Sequence, residues 1–210
     1  NDDNQILELE TYIEDYSLDK LYFHVENFLQ KNIFQIEKKL NSFINEIYII
    51  FDNDKFFIAE TSIKNNLKND TENDISNDTL IEIRNQFKKH SPGNQIIHML
   101  IKKYIIDGNI YEILPKDIEH DNFTVEVEFI CLKNEIVKNF KDIFLKYQIS
   151  IKKIFSYEYL NTLKDKDNGK DDIFKIAIDS LNGLNSNEVM IIKKEPENKG
   201  FFEKFFNFFN

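Results

Sequence analysis

Three stretches of the chain repeat apolar residues at the three-to-four spacing that is typical of an amphipathic helix. They are residues 18–44, 79–90 and 134–147. The first is the longest, and we expect it to be the longest helix of the protein. The second ends at Ser91-Pro92-Gly93, and the third begins at Asn134, a residue type that favours a helix N-cap.

Five shorter stretches have the apolar, β-branched and aromatic composition of β-strands. They are residues 46–51, 55–63, 95–106, 123–132 and 149–157. The triplet Asp52-Asn53-Asp54 between the first two is rich in turn-forming residues, so the pattern predicts that these two strands form a hairpin. Asp107-Gly108-Asn109 predicts a second turn where the long strand ends.

The strand at 123–132 alternates clearly between apolar and polar positions, which predicts one buried and one solvated face. The apolar positions are Phe123, Val125, Val127 and Phe129, and the polar ones are Thr124, Glu126 and Glu128. The helix at 134–147 follows immediately, so we expect it to cover the apolar face. Its contacts would come from Val137, Phe140 and Phe144.

The order of these elements predicts a mixed α/β (α+β) fold, with a small sheet covered mainly on one side by two helices. After Leu160 the pattern is weaker. It indicates a charged run at 164–172, a short helix at 173–184, a short strand at 188–193 and a linker at 194–200.

The last eleven residues concentrate phenylalanine on one side of a helix. At 100° per residue the six rings form a broad apolar face, with Glu203, Lys204 and Asn207 opposite. The predicted membrane-binding residues are Phe201, Phe202, Lys204, Phe205, Phe206, Phe208 and Phe209. Such a segment needs an apolar surface, which is either a membrane or the protein's own core.

Charge and composition exclude several function classes. The 210 residues carry 27 basic and 37 acidic side chains, a net charge of −10, which argues against nucleic-acid binding. Arg84 is the only arginine and Cys131 the only cysteine, so arginine forks, internal disulfides and thiolate metal clusters are not expected. No apolar run approaches the roughly 20 residues of a membrane span.

The residue types that carry chemistry are scattered. The histidines His24, His90, His98 and His120 lack metal-ligand spacing, so a structural or surface role is expected for each. Glu126 and Glu128 are interpreted as solvated carboxylates, and Cys131 as a small core residue. The five glycines lie singly, which leaves no phosphate cradle. No catalytic, cofactor or metal site is predicted.

The middle of the chain resembles the bacterial cell-division protein family FtsA. The resemblance lies in the strand and turn Gly93-Asn-Gln-Ile-Ile-His-Met-Leu-Ile-Lys-Lys-Tyr-Ile-Ile-Asp-Gly108, then Ile113-Leu-Pro-Lys-Asp117, then the alternating strand from Phe123 and its following helix. It covers about residues 18–163. The family is similar to actin in fold, with one subdomain replaced by a small α/β subdomain, and ends in an amphipathic helix that binds the inner face of the cytoplasmic membrane.

The resemblance implies a domain organisation. Residues 1–55 would be a remnant of the actin-like lobe, 56–163 the α/β interaction subdomain, 164–199 a polar linker, and 200–210 the membrane-targeting helix. The family's ATP-binding turns and its second large lobe have no counterpart here, so neither ATP nor direct binding to FtsZ is expected. The sequence is interpreted as a truncated fragment or a reduced relative.

The resemblance and the phenylalanine segment together predict a cytoplasmic adaptor that is peripheral on the inner face of the cell membrane. Its partners would be division proteins and copies of itself, and it would have no enzymatic activity. One alternative is a self-contained α/β interaction domain whose terminal helix packs on its own core. Another is an enzyme of unrecognised type.

Overall fold

The computed structural model describes residues 9–13, 17–66, 77–115, 122–164 and 172–189. The helices are α1 (Leu18–Leu40), α2 (Asn77–His90), α3 (Asn134–Leu145), α4 (Tyr157–Thr162) and α5 (Ile173–Leu181). The strands are β1 (Glu46–Phe51), β2 (Phe57–Asn66), β3 (Asn94–Ile106), β4 (Asn109–Tyr111), β5 (Asn122–Lys133) and β6 (Ser150–Ser156).

The strands form two sheets. One is a four-stranded antiparallel sheet in the order β2-β5-β3-β4, and the other is a parallel pair of β1 and β6. The predicted mixed α/β fold class is confirmed, because helices and both kinds of strand pairing occur in one chain. The FtsA-specific domain boundaries stay a prediction. β6, which falls within the predicted subdomain at 56–163, pairs with β1 from the predicted N-terminal lobe.

The predicted hairpin between the first two strands is wrong. β1 pairs in parallel with β6, whereas β2 pairs with β5 in the other sheet. The physical reason is visible in β1, where Ile49, Ile50 and Phe51 are consecutive apolar residues that are all at least partly buried. Such a run is typical of a parallel strand that is covered on both faces. A hairpin of strands with alternating apolar and polar residues would not cover both faces.

The apolar face of β5 packs against α2. Phe129 stacks on Phe87 of α2 with 4.4 Å between ring centroids, and Leu80 and Ile83 complete the cluster. The prediction that α3 covers this face is therefore wrong. α3 begins directly after β5 and covers the opposite side, where Leu132 is buried and interrupts the polar alternation.

The second core lies between α1, α3 and the parallel pair of strands. Phe140 of α3 is its centre and makes edge-to-face contacts with Tyr22 of α1 and Phe51 of β1, each with 5.2 Å between centroids. A neighbouring cluster joins Phe155 of β6 and Leu160 of α4 to Ile176 of α5. The three clusters together cover one face of the four-stranded sheet and part of the other.

Two local features set the limits of these elements. α1 ends at Leu40, four residues before the predicted end, because Asn41 adopts the left-handed conformation and its N–H bonds to the carbonyl of Glu37. The predicted turn at Asp107-Gly108 is confirmed: both residues have positive φ, and the chain returns as the short strand β4.

In the part of the chain described here, no helix combines the length and the apolar character that crossing a membrane requires.

Candidate functional site

Several buried or partly buried polar side chains converge on the carboxylate of Glu188. His98, Lys153, Tyr159 and Ser180 all donate hydrogen bonds to it, and we call these five residues the Glu188 network. They come from β3, β6, α4, α5 and the segment that follows α5. The network is therefore the point at which the two sheets and the last described segment of the chain are joined.

His98 is neutral and its tautomer is fixed by its two hydrogen bonds. Nδ1 lies 2.8 Å from Oε1 of Glu188, and Nε2 lies 3.1 Å from the backbone N of Ser156. Because a backbone N–H can only donate, Nε2 accepts and the ring proton is on Nδ1. Burial lowers the pKa of His98, which agrees with a neutral ring.

Glu188 is ionised. Its Oε1 also accepts from Nζ of Lys153 at 3.0 Å, while Oε2 accepts from the hydroxyls of Tyr159 at 2.8 Å and Ser180 at 3.0 Å. Burial alone would raise the pKa of Glu188, but the hydrogen bond from His98 and the charge of Lys153 hold it below its ordinary value. Burial and the adjacent Glu188 charge raise the pKa of Tyr159, so its hydroxyl stays protonated and donates.

The strand register places these groups together. Leu100 of β3 forms an antiparallel bridge with Glu188, and Val189 N–H donates to the carbonyl of Met99 at 2.8 Å. Residues 187–189 thus run along the edge of β3. A bulge between Ile96 and His98 in the pairing of β3 with β5 adjusts the strand just before the histidine.

The hydroxyl groups of the site are held by other contacts. Ser156 caps the N-terminus of α4, and its Oγ accepts from the N–H of Tyr159 at 3.3 Å. The Tyr159 hydroxyl accepts from Nδ2 of Asn185 at 3.1 Å while it donates to the carboxylate. The hydroxyls of Ser156 and Tyr159 are therefore hydrogen-bonded within the protein.

Nucleophilic catalysis by a Ser–His or Cys–His pair requires the hydroxyl or thiol within hydrogen-bond reach of a ring nitrogen. In the described residues, both nitrogens of His98 are occupied by Glu188 and the Ser156 backbone, and Ser180 bonds to the carboxylate instead. Cys131 lies in the core, as predicted, and burial raises its pKa to about 12, so it is a neutral thiol. The hydrogen bonds of the described residues fit a structural junction between the two sheets.

A cleft of ≈ 350 Å³ opens beside the network. It is lined by residues 95–99 of β3, residues 152–154 of β6, Arg84 of α2, Glu188 and Val189.

The sequence matches none of the models of known protein families, and no curated protein matches it significantly.

The predicted membrane-binding residues, Phe201, Phe202, Lys204, Phe205, Phe206, Phe208 and Phe209, lie outside the described residues, as does His120. His24 and His90 lie in helices, away from the network. The interpretation of Glu128 as a solvated carboxylate is wrong: it is 8% exposed, and its Oε2 is 3.3 Å from Nζ of Lys102. Leu100 and Ile130 flank it in a face that α4 and α5 cover.

The Glu188 network could not be located from local sequence. Its central pair, His98 and Glu188, is separated by ninety positions in the chain. Of the structural or surface role expected for His98, its burial and its two hydrogen bonds fit the structural one. The one available signal was the glutamate that begins the short strand pattern at 188–193, since a carboxylate next to a buried strand needs polar partners.

Proposed function

We propose that this chain is a membrane-associated adaptor of the FtsA type, which works through protein–protein contacts and without catalysis. The proposal is supported by the residue pattern of the middle of the chain, by the mixed α/β fold, and by a buried polar site whose groups hydrogen-bond to one another. In this proposal the protein acts through surface residues that bind other proteins.

The observation that carries the proposal is the open edge of β2. This strand has ten residues, lies at the end of the four-stranded sheet, and pairs only with β5 within the described part of the chain. A long exposed strand edge is a template for pairing with another strand, and proteins otherwise cover or blunt it.

The charges on β2 fit pairing with a second copy of the same strand. Glu60 and Lys64 are both exposed and lie on the same face, since they are separated by an even number of residues. In antiparallel pairing centred on Ser62, Glu60 of each copy would lie opposite Lys64 of the other. Opposite charges directly across a strand pair stabilise it, and like charges destabilise it.

Exposed aromatic and aliphatic side chains supply further contact surfaces for division proteins. Phe23 and Phe34 are eleven residues apart on α1, close to three full turns, and so lie on one side of the helix with exposures of 60% and 74%. Phe174 and Ile178 are one turn apart on the outer side of α5. Aromatic residues are enriched at protein interfaces.

Self-association would also strengthen membrane binding. Each copy would bring one phenylalanine-rich segment at 201–209, and linked copies bind a surface far more tightly than single ones. The charges around this segment nearly cancel, so burial of the rings has to provide most of the affinity.

The edge of β2 is tested by exchanging its charges. Glu60→Lys would place two positive charges opposite each other at two points of the paired strands. We therefore expect it to weaken self-association by about tenfold or more. Sedimentation velocity over a range of concentrations measures this change. The double variant Glu60→Lys with Lys64→Glu should restore association. The fold is retained in the single variant, because Glu60 lies opposite Glu128 within the sheet.

The control is Ile113→Lys, which adds a positive charge at an exposed position outside the β2 edge. Association that is insensitive to Glu60→Lys, or a double variant that associates no better than the single one, would contradict pairing through this edge.

A further inference from the structure

The surface around the last described residues differs in charge from the protein as a whole. Three cationic side chains, Arg84, Lys152 and Lys153, line the cleft of ≈ 350 Å³ together with one carboxylate, that of Glu188. The whole chain, in contrast, has a net charge of −10. The lining of this cleft is therefore basic within an acidic protein.

Helix α2 extends the basic lining over the surface. Lys88 is exposed and lies one turn after Arg84, so the two are on the same side of the helix. Glu82, the one carboxylate among the described side chains of α2, is two residues before Arg84 and points to another side. Lys152, which also lines the cleft, forms an exposed ion pair with Glu46, a kind of pair that contributes little. We call Arg84, Lys88 and Lys152 the basic surface.

A second groove, of ≈ 710 Å³, has the opposite charge. Three carboxylates, those of Glu112, Glu128 and Glu158, line it with one cation, Lys102. This groove adjoins the face of the four-stranded sheet that α4 and α5 cover, whereas the basic surface is on the side of α2. The two signs of charge are thus separated across the sheet.

The described chain ends at the basic surface. Val189 packs with the α2 cluster and lines the same cleft as Arg84. Residues 190–200 separate it from Phe201, and these eleven residues span at most about 40 Å in any conformation. Binding of the phenylalanine-rich segment to a membrane therefore draws the Val189 side of the module towards that membrane.

The charge of the facing surface matters more to a membrane than the net charge of the chain. The Debye length at physiological ionic strength is about 8 Å, so charges on the far side of the module are screened. Lysine and arginine bind phosphate oxygens, and basic residues near an anionic bilayer are attracted to it.

We propose that the basic surface lies against the headgroups of anionic phospholipids when the phenylalanine-rich segment is in the membrane. This inference rests on the proposed membrane association and adds an orientation and a lipid class to it. The rings provide the attachment, and Arg84, Lys88 and Lys152 turn the module so that its acidic groove faces away from the bilayer.

The test is co-sedimentation of the full chain with two kinds of vesicle, phosphatidylcholine alone and equal parts of phosphatidylcholine and the anionic phosphatidylglycerol. We expect the unmodified chain to bind the mixed vesicles more tightly. Arg84→Glu combined with Lys88→Glu should weaken binding to the mixed vesicles by about tenfold or more, because each basic residue near an anionic surface contributes about fivefold. Binding to phosphatidylcholine alone, which depends on the rings, should not change.

Two further variants make the result specific. Lys88→Glu alone changes an exposed position and should weaken binding to the mixed vesicles by about fivefold, so the effect does not depend on replacing the half-buried Arg84. Lys31→Glu combined with Lys38→Glu is the matched control. It makes the same change of charge at exposed positions of α1, a helix that does not line the cleft, and should keep the preference for mixed vesicles.

Three results would overturn the proposal and leave attachment by the rings intact. The unmodified chain could bind both kinds of vesicle equally, the α2 variants could keep the preference, or the α1 control could lose as much of it as they do. Binding to neither kind of vesicle would overturn the proposed membrane association, and this inference with it.

Discussion

Glu188→Ala is expected to lower the free energy of unfolding by about 3–5 kcal/mol, a large share of the roughly 5–15 kcal/mol of a typical domain. The side chain of Glu188 is 3% exposed and that of Lys153 is 20% exposed, so removal of the carboxylate leaves a largely buried ammonium group without its counter-charge. His98, Tyr159 and Ser180 lose their acceptor at the same time. Equilibrium unfolding in urea at pH 7 measures the change.

Two further variants separate the network from a general loss of charge. Glu112→Ala removes an exposed carboxylate and should change stability by less than about 0.5 kcal/mol. Glu188→Gln keeps the shape but not the charge. Because the folded pKa of Glu188 lies below its ordinary value of 4.5, the advantage of the unmodified chain over this variant is complete above pH 4.5 and is lost as the pH falls through the lowered pKa.

If Glu188→Ala were as stable as Glu112→Ala, the network would not fasten residues 187–189 to the sheet. The assignment of the site as a structural junction would then be wrong.

Phe140→Ala is expected to cost about 3–5 kcal/mol, because the ring is 3% exposed and its loss leaves a cavity where three elements meet. Its edge-to-face contacts with Tyr22 and Phe51 are lost together with the buried area. The measurement is the urea midpoint at constant slope.

Phe34→Ala is the matched control, since it removes the same ring from a position on α1 that is 74% exposed. It should change stability by less than about 0.5 kcal/mol. Equal urea midpoints for the two variants would mean that α3 does not join α1 to the parallel strands.

Much of the local structure could be predicted from the sequence. The strand at 95–106 and the helix at 134–147 are confirmed within about two residues, because their apolar spacing is regular and is bounded by turn or cap residues. Periodicity identifies the apolar face of an element. It does not identify which other element covers that face.

The wrong predictions all concern which elements pack or pair with each other, and periodicity does not show this. The alternation of β5 correctly marked Phe123 and Phe129 as buried, but proximity in sequence favoured α3 as the cover, and α2 covers them instead. The turn residues after β1 suggested a hairpin, but the partner of β1 is β6, about one hundred residues later. Long-range pairing leaves no trace in a short window of sequence.

The Glu188 network illustrates the same limit at the level of side chains. A histidine, a lysine and a glutamate that each look isolated in the sequence meet in space because residues 187–189 return to the edge of β3. The charge pattern of β2 is local, because Glu60 and Lys64 are close in sequence. Only the exposure of these two residues had to be taken from the structure.

The central claim is that this module is held at a membrane by its phenylalanine-rich segment, and co-sedimentation with phosphatidylcholine vesicles tests it most directly. Burying a phenylalanine is worth roughly 1.5–3 kcal/mol, so Phe202→Asp combined with Phe206→Asp should weaken binding on the order of a hundredfold or more. Asn207→Asp combined with Asn210→Asp adds the same charge, keeps all six rings, and should bind like the unmodified chain. Vesicle binding that is equal in all three proteins, or absent from the unmodified chain, would contradict the claim and favour a terminal helix packed on its own domain.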